Sequence, residues 1–518
     1  MTHVLSFDLG TGGIKASLFA ENGISKAKSF VAYETKYEND TIHEQRPLDW
    51  VNGIIKSTKC LLGNNNISAD SIEGIAISGH SLGVIPISHQ GEILVEKTPI
   101  WSDRRARLQA KEYFKKIDFN KWYRTTGNGF PAELYSIFKM MWYRDNIPEL
   151  FNGTAKWLGT KDCLNYLLTG NICTDYSYAS GSGAYNLLKN DFDRELLKAA
   201  DLNRSLFPEI RSSTALVGTL KPEMATLLGL KKDVKVFCGG VDNSCMALGA
   251  SSYCNGKVYT SIGSSAWISV SQDKPLIDDK VKPFVFSHVV PGQYTSAVSI
   301  FSAGSSYQWV RDNICKDLLA IADNKQTEVY ELMEREAEQS PIGAHGLLFN
   351  PSLAGGSAFE PSSDIRGGFA GLTLAHKRGD LIRASLEGIA INLSLVLAMF
   401  RNITNLSSEM ILVGGGSKSP LWRRIFADTF GCKILKSIID QDAASLGAAG
   451  IALVGLGIWE GFAEIEKANI IESMTCPIEE NVEKYKIITA LFMRHIQQCA
   501  EMGNLIAESI NNQNNCRG

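Results

Sequence analysis

The chain has 518 residues, of which 44% are hydrophobic and 21% charged, and its formal net charge is -3. This length and apolar content favour a globular protein of two or more domains. The weak net charge argues against a nucleic-acid partner, and no apolar run predicts a membrane span. Its 11 cysteines lack CxxC pairs and its 8 histidines lack HExxH spacing, so neither a disulfide framework nor a zinc site is indicated. We therefore expect a soluble cytoplasmic protein.

The first predicted element is a β-hairpin. Residues 3–9 and 14–19 alternate in polarity around the turn Gly10-Thr11-Gly12-Gly13. A turn with so little side-chain bulk exposes backbone N–H groups, which can bind phosphate oxygens. Asp8 stands just before the turn, where a cation bridging phosphates would offset the burial of its carboxylate. The alternative is a plain glycine-rich hairpin in which Asp8 has a protein partner.

A second glycine turn follows the predicted strand 72–78. Its sequence, Gly79-His80-Ser81-Leu82-Gly83, fits the G-x-S-x-G nucleophile elbow of serine hydrolases. An elbow requires a helix directly after the serine, whereas residues 84–95 predict a strand, a turn and a strand, with Pro86 where the helix would begin. We favour a turn at the edge of a substrate pocket and keep a hydrolase acting through Ser81 as an alternative.

Residues 101–105 (WSDRR) follow the end of a strand and are predicted to open a helix. The aromatic face of Trp101 beside the acidic Asp103 and a basic side chain suits a polyhydroxylated ligand. A capped helix start packed by the tryptophan is the alternative. Further helices are predicted at residues 47–62, 135–145, 380–401 and 443–456.

The sequence is organised around Asp242. A buried strand at residues 234–238 ends in Gly239-Gly240, and a short helix is predicted at residues 245–250. A carboxylate between a strand and a helix can be an ordinary N-cap. It can also be a base that accepts a proton from a substrate hydroxyl, since a helix N-terminus favours the ionised form.

Two further turns lie in the second half of the chain. Residues 263–265 (GSS) join predicted strands at 257–261 and 266–270, in the same arrangement as the first hairpin. Residues 414–417 (GGGS) follow a predicted strand at 410–413, and their glycines would let a flat ring or a ribose lie against the backbone. The repeated hairpin predicts a duplicated α/β unit that faces itself across a cleft.

Taken together, these motifs resemble the FGGY family of carbohydrate kinases, and most of all its xylulokinase branch. The similarity extends from residue 4 to about residue 456. The matching pieces are FDLGTGGIKA, EQRPLDW, PIWSDRRA, SIFKMMWYRDN, LLTG with TDYSYASG, GGVDNS, SIGSS, IRGGFAGL with RASLEG, GGGSKSPLWRRIFAD and ASLGAAGIAL. The sequence contains no Walker A motif, so an actin-like rather than a P-loop nucleotide site is implied.

The resemblance implies an α/β fold of two ribonuclease-H-like (actin-like ATPase) domains, residues 1–250 and 251–518, which bind ATP, Mg²⁺ and a sugar in the cleft between them. Asp242 matches the family's catalytic base and Asp8 the residue near the magnesium. The positions expected to bind nucleotide are Thr11, Gly12, Lys15, Gly263, Ser264, Gly414, Gly415, Gly416 and Ser417. Those expected to bind sugar are Ser81, Leu82, Trp101, Asp103 and Asn243.

The chain departs from the family at its sugar-binding turn. Xylulokinases read SGQMHG, whereas residues 78–83 read SGHSLG, so Leu82 replaces the sugar-contacting histidine and Ser81 the methionine. Ser264 also replaces a more usual threonine. The resemblance implies a ketopentose such as xylulose or a related sugar or polyol as substrate, and the departure at residues 78–83 leaves the identity of the sugar open. A homodimer is a candidate assembly. An actin- or Hsp70-like ATPase without sugar transfer is the remaining alternative.

Overall fold

The computed structural model describes residues 2–39, 41–64, 67–129, 131–357, 359–439 and 441–515. The strands are β1 (His3–Leu9), β2 (Gly13–Ala20), β3 (Ser25–Ala32), β4 (Lys36–Tyr37), β5 (His43–Gln45), β6 (Ile72–Gly79), β7 (Ile85–Ser88), β8 (Thr98–Pro99), β9 (Thr154–Leu158), β10 (Thr174–Asp175), β11 (Tyr185–Asn186), β12 (Asp191–Phe192), β13 (Ile210–Arg211), β14 (Leu216–Thr219), β15 (Lys235–Phe237), β16 (Gly240–Val241), β17 (Val258–Ile262), β18 (Ala266–Gln272), β19 (Phe284–Ser287), β20 (Tyr294–Ile300), β21 (Leu348–Asn350), β22 (Gly368–Ala370), β23 (Glu409–Val413), β24 (Lys433–Ser437) and β25 (Ile471–Thr475). The helices are α1 (Pro47–Asn64), α2 (Arg107–Tyr113), α3 (Phe119–Thr126), α4 (Ser136–Asn146), α5 (Pro148–Gly153), α6 (Thr160–Thr169), α7 (Tyr176–Ser180), α8 (Arg194–Ala200), α9 (Pro222–Leu228), α10 (Asp242–Gly249), α11 (Gly304–Ile314), α12 (Lys316–Lys325), α13 (Val329–Ala337), α14 (Arg378–Ile403), α15 (Pro420–Phe430), α16 (Ala443–Gly455), α17 (Ile465–Ala468) and α18 (Glu479–Asn515).

The residues group into two compact units. Unit 1 contains Met1–Asn255, Ser271–Ser296 and Asp442–Ile470, and unit 2 contains Gly256–Val270, Ala297–Gln441 and Ile471–Gly518. The chain therefore leaves unit 1 after Asn255 and returns to it twice, so one boundary in the sequence cannot separate the two units. We keep the boundary between residues 250 and 251 as a proposal for the domains defined by sequence.

The sheet of unit 1 is built around the predicted hairpin. Its strand order is β14-β15-β6-β1-β2-β3, with β16 also paired to β6. The pair β1–β2 is antiparallel, with Asp8 opposite Lys15, whereas β1–β6 is parallel. The hairpin prediction is confirmed. The strand predicted at residues 93–95 is not, because only an isolated bridge joins Ile93 to Ile87.

Unit 2 contains a second hairpin of the same arrangement. Strand β17 pairs with β18 in antiparallel orientation and with β23 in parallel, just as β1 pairs with β2 and β6. Strand β24 continues the sheet in parallel with β23, and β25 closes it in antiparallel orientation. The repeated hairpin predicted from the sequence is thus confirmed.

Helix α16 packs closely against α10 within unit 1 because glycines face the contact. A Cβ built on Gly447 would lie 1.9 Å from the carbonyl oxygen of Cys245, and one on Gly249 would lie 1.8 Å from that of Ala443. These distances are far below any carbon–oxygen contact, so only glycine allows the two backbones to approach this closely. The helix predicted at residues 443–456 is thus confirmed, and its small residues allow the close packing.

Helix α14 is the longest strongly apolar helix in the described part of the chain. It is long and apolar enough to cross a membrane by those two criteria alone, but 78% of its most apolar window is buried inside the protein. Burial of this kind is what the core helix of a globular unit shows.

We expect Gly447→Ala to lower the free energy of unfolding by about 1–3 kcal/mol, because the added methyl group must push α10 away from α16. Gly63→Ala is the matched control, since Gly63 lies in α1 and a Cβ there would meet nothing within 4 Å. That variant should gain about 0.5–1 kcal/mol from reduced backbone entropy. Urea denaturation followed by circular dichroism measures both changes. Equal stability of the two variants would contradict the close-packing argument.

Candidate active site

The candidate site begins where three parallel-paired strands of unit 1 end. The last residues of β6 pair with β1, where Asp8 is opposite Ser78, and with β16, where Gly240 is also opposite Ser78. The Ser78 hydroxyl donates a hydrogen bond to Oδ1 of Asp8 at 3.0 Å. Asp242 follows β16 directly. The pairing therefore brings two carboxylates of distant sequence position to the same edge of the sheet, which is where ligands bind in α/β sheets.

Asp242 is the first residue of α10 and not its N-cap. The N-cap residue is Val241, and no side chain caps the helix. Oδ1 of Asp242 instead accepts a hydrogen bond from the N–H of Asn243, the next residue, at 2.8 Å. The N-cap alternative is therefore wrong, and the carboxylate is half-buried without a capping role.

The protonation of Asp242 is governed by its surroundings more than by the helix. Desolvation, and next the negative charge of Asp8, raise the pKa of Asp242 to about 7. The expectation that the helix N-terminus would favour the ionised form is thus overridden, because the hydrogen bond from the N–H of Asn243 lowers the pKa by less. A carboxyl group with a pKa near neutrality is well matched to proton transfer at physiological pH.

Asp8 is flanked by a lysine held in an ion pair. Burial raises the pKa of Asp8, while the ammonium of Lys15 and the Ser78 hydrogen bond oppose the shift. Lys15 Nζ lies 3.0 Å from Oδ1 of Asp442, which also pairs with Lys28. Lys15 is therefore held beside Asp8, on the strand that leaves the first glycine turn.

The carboxylates fit Mg²⁺ as a partner. Magnesium prefers oxygen ligands and is commonly held by one or two carboxylates together with substrate phosphates. Among the described residues, no group of three or more His, Cys, Asp or Glu side chains could hold a metal ion alone. Because Asp8 raises the pKa of Asp242, a cation beside Asp8 would relieve that unfavourable charge.

In the first glycine turn, Thr11 is fixed by hydrogen bonds and Gly12 is exposed. The carbonyl of Thr11 accepts a hydrogen bond from Gln45 Nε2 at 2.7 Å, and its hydroxyl accepts one from Trp101 Nε1 at 3.0 Å. Gly12 is exposed, and a Cβ on it would meet nothing within 4 Å. The fold itself does not require glycine at position 12, so the absence of a side chain is consistent with the approach of a ligand.

Gln45 connects this turn to the turn after β6. Its Oε1 accepts hydrogen bonds from Trp50 Nε1 at 2.9 Å and from Nε2 of His80 at 3.2 Å. Burial lowers the pKa of His80 to about 4, so the imidazole is neutral. The sequence reasoning missed Gln45, although it belongs to the EQRPLDW motif, because the two turns that it connects, through Thr11 and His80, each lie more than thirty residues from it in the sequence.

The turn after β6 is not a nucleophile elbow. The chain passes from Leu82 into strand β7 and not into a helix, so Ser81 lacks the helix that an elbow requires. Leu82 adopts a left-handed conformation with φ of 66°, and its side chain, only 5% exposed, lies in an apolar cluster. Sugar contact through Ser81 or Leu82 stays a prediction, and that cluster shields the Leu82 side chain.

The segment around Trp101 forms turns and not a helix. Helix α2 begins only at Arg107, so the predicted helix start at Trp101 is wrong. Asp103 is fully buried, with Oδ1 2.9 Å from Arg105 Nε and Oδ2 accepting from the N–H of His43 at 2.8 Å. The acidic and basic groups therefore pair with each other, while Trp101 is 38% exposed. Direct sugar contacts by Trp101, Asp103 or Asn243 stay predictions.

Unit 2 carries the second predicted phosphate turn. Gly263 and Ser264 are exposed at the end of β17. The N–H of Gly304 donates to the carbonyl of Gly263 at 2.9 Å, and that of Ser305 to Ser264 at 3.0 Å. The start of α11 thus fixes the backbone of the turn. A Cβ on Gly304 would lie 2.3 Å from the Gly263 oxygen, so this contact requires glycine.

A cavity of about 960 Å³ adjoins this turn within unit 2. A volume of this size suits a nucleotide-sized ligand. The rings of Tyr307 and Tyr330 stack with centroids 5.4 Å apart. The lining residues are Ile262, Gly263, Ser264, Gly304, Tyr307, Gln308, Glu328, Tyr330, Glu331, Glu334, Arg335, Glu338, Gly415, Gly416, Lys418, Ser419, Pro420 and Trp422.

The glycines after β23 have different roles. A Cβ on Gly414, which has φ of 90°, would lie 2.4 Å from the Ile262 oxygen, and one on Gly416 would lie 2.5 Å from Ile262 Cγ2. Both are therefore required by packing against β17. Only Gly415 is exposed and free of such contacts. The Ser417 hydroxyl is buried and donates to the Gly414 carbonyl at 2.8 Å, so it supports the turn from inside.

The fold and these features define a class: a two-domain α/β protein of the ribonuclease-H-like, actin-like ATPase type with a glycine phosphate-type turn in each unit. Two family models match the chain. The N-terminal domain of the FGGY family of carbohydrate kinases matches residues 3–249, and the C-terminal domain of that family matches residues 258–456. The chain belongs to the FGGY family of carbohydrate kinases.

Individual relatives agree with this assignment. The chain is 30% identical to a xylulose kinase of Bacillus subtilis over 95% of its own length and 96% of the relative's. It is 26% identical to a gluconokinase of the same organism, with 95% of each chain covered. The crystal structure of a ligand-bound xylulose kinase from Lactobacillus acidophilus superposes with a TM-score of 0.86 at 24% identity, covering 96% of this chain and 99% of that one.

We expect Gly415→Val to raise the KM for ATP by about tenfold, equivalent to about 1.4 kcal/mol of binding, while the melting temperature stays unchanged. The reason is that position 415 has room for a side chain, which would occupy the cavity. Gly414→Ala is the comparison and should lower the melting temperature through its contact with Ile262. Steady-state kinetics and thermal denaturation separate the two effects. An unchanged KM for ATP in Gly415→Val would place the nucleotide elsewhere.

Proposed function

We propose that this chain transfers the γ-phosphoryl group of ATP to a hydroxyl of a small sugar, with Asp242 as the general base. The observation that carries the proposal is the state of the Asp242 carboxyl. It stands at the carboxyl ends of the strands, caps no helix, and has a pKa raised to about 7. A carboxylate in this state can accept the proton of an attacking hydroxyl.

The remaining parts fit phosphoryl transfer. Such reactions pass through a loose transition state, so positioning and charge stabilisation matter more than the strength of the base. Unit 1 offers Thr11, Gly12 and Lys15 for the phosphates, and unit 2 offers Gly263 and Ser264 together with the cavity at Gly415. Asp8 would hold the Mg²⁺, which supplies positive charge to the phosphates when it is bound.

The first candidate substrate is a ketopentose such as xylulose, and related sugars or polyols follow. The relatives include both xylulose kinases and gluconokinases, so family membership leaves the sugar open. Leu82 carries no hydrogen-bonding group at the position where the xylulokinase branch has histidine. The sugar must therefore be held by other groups, such as Ser81 in the turn after β6 and Trp101 in the turn after β8. We further propose that the enzyme works in the cytoplasm.

The decisive test of the base is Asp242→Asn. The change removes the proton acceptor and keeps the size of the side chain, so we expect kcat to fall by about 10²–10⁴-fold, the usual loss for a general base. The melting temperature and the affinity for ATP should stay near those of the wild type, because the phosphate turns are untouched.

Asp118→Asn is the matched control for this test. Asp118 is a true N-cap, whose side chain accepts a hydrogen bond from the N–H of Lys121 at 2.8 Å. Asparagine caps about as well as aspartate, so this variant should retain full activity. If Asp242→Asn were as active as Asp118→Asn, Asp242 would not be the base.

The substrate is identified by measuring ADP release with ketopentoses, aldopentoses, polyols, glycerol and gluconate. We expect release to depend on an added sugar and to be fastest with a ketopentose such as xylulose. Electrospray mass spectrometry of the product should show the mass gain of one phosphate. ADP release that is the same with and without sugar would favour the actin- or Hsp70-like ATPase instead. Labelling of Ser81 by a fluorophosphonate would favour the hydrolase.

A further inference from the structure

Lys139, on helix α4, is a lysine that solvent does not reach. Its side chain is fully buried, and its neighbours on the helix, Ile137, Phe138, Met140 and Met141, belong to the apolar cluster of unit 1. Lysine is almost never buried in this way unless it has specific partners. Burying an amine among apolar side chains is costly, so a lysine at this position indicates a function that needs hydrogen-bond donors, which methionine lacks.

The partners of Lys139 are two backbone carbonyls. Nζ donates to the carbonyl oxygen of Leu82 at 3.0 Å and to that of Ile100 at 2.6 Å. Desolvation lowers the pKa of Lys139 to about 7, with Arg105 adding to the shift and Asp103 opposing it. Charged or neutral, the amine has at least two N–H bonds, so both carbonyls are satisfied in either state.

These carbonyls belong to the two turns that carry the candidate sugar-binding residues. We call residues 80–83 the sugar turn and residues 100–103 the tryptophan turn. Leu82 has the left-handed conformation in the sugar turn, which is unfavourable for a leucine and needs support from outside the turn. Ile100 precedes Trp101, and its carbonyl also accepts from the N–H of Asp103 at 3.1 Å. One amine therefore joins both turns.

We propose that Lys139 is a positioning residue for the sugar: its amine clamps the sugar turn to the tryptophan turn and so fixes the separation of Ser81 and Trp101. This inference rests on the proposed function, because it assumes that the two turns bind the sugar. The Lys139 amine contacts the backbone of these two turns and not the glycine turns, although Trp101 Nε1 donates to the Thr11 hydroxyl. Its loss should therefore weaken sugar binding much more than nucleotide binding.

The test is Lys139→Met, which keeps the length and apolar body of the side chain and removes its donors. We expect the KM for the sugar to rise by about tenfold to a hundredfold, the scale on which a small misplacement acts. The KM for ATP and kcat at saturating sugar should both change much less than the KM for the sugar. A destabilised but correctly positioned site would not produce this split between the two substrates.

Lys156→Met is the matched control. Lys156 also donates to two carbonyls of a distant turn in unit 1, those of Ser205 at 2.6 Å and Phe207 at 3.1 Å. That turn carries no candidate site residue, so removal of the Lys156 amine should leave the KM for the sugar and the KM for ATP at the wild-type level. A sugar KM in Lys139→Met equal to that in Lys156→Met would overturn the inference. Absence of sugar-dependent turnover in the wild type would instead overturn the proposed function.

Hydrogen–deuterium exchange tests the clamp without catalysis. In Lys139→Met the sugar turn and the tryptophan turn should both exchange faster, and in Lys156→Met only residues 205–207 should do so. In the wild type the two clamped turns should open in one cooperative step. That last measurement needs no variant, so it remains decisive if Lys139→Met fails to fold. Separate opening of the two turns in the wild type would overturn the clamp.

Discussion

The structure of unit 1 depends on one constraint, the parallel pairing of β6 with both β1 and β16. Because Ser78 is opposite both Asp8 and Gly240, the register fixes where each strand ends. A shift of one residue would turn every side chain of a strand to the other face. The register thus brings Asp8 and Asp242 together, although they lie 234 positions apart in the sequence. Burial raises the pKa of Asp242, and the nearby charge of Asp8 raises it further.

Hydrogen bonds from buried polar side chains fix the turns that follow these strands. Gln45 joins the first glycine turn to His80, and Lys139 joins the sugar turn to the tryptophan turn. All three of these side chains are buried, and a buried polar group must be hydrogen-bonded or it destabilises the fold. The same hydrogen bonds that satisfy the interior therefore hold the backbone of the exposed turns, so stability and site geometry are coupled.

The sequence predicted what local patterns determine. The glycine turns, the hairpin at residues 3–19 and the strand before Asp242 follow from periodicity and from the glycines that interrupt it. The partners of Asp103 and Lys139 could not be predicted, because a charged residue in a sequence carries no sign of whether it is buried. Asp103 was expected to face a sugar, yet its carboxylate is buried against Arg105 and the backbone of His43. The Gly414 and Gly416 positions likewise depend on a contact with Ile262, which is visible only in the folded unit.

These observations bear on how the family changes its substrate. Relatives named xylulose kinase and gluconokinase are 30% and 26% identical to this chain, so the shared fold accommodates different sugars. The side chain of Leu82 is buried, and the left-handed backbone conformation of Leu82 determines where the neighbouring residues of the turn point. A single exchange of Leu82 would place the new side chain in the apolar cluster that now surrounds Leu82. If the two turns bind the sugar as proposed, specificity is a property of the pair, and residues that set the separation of the turns matter as much as residues that face the sugar.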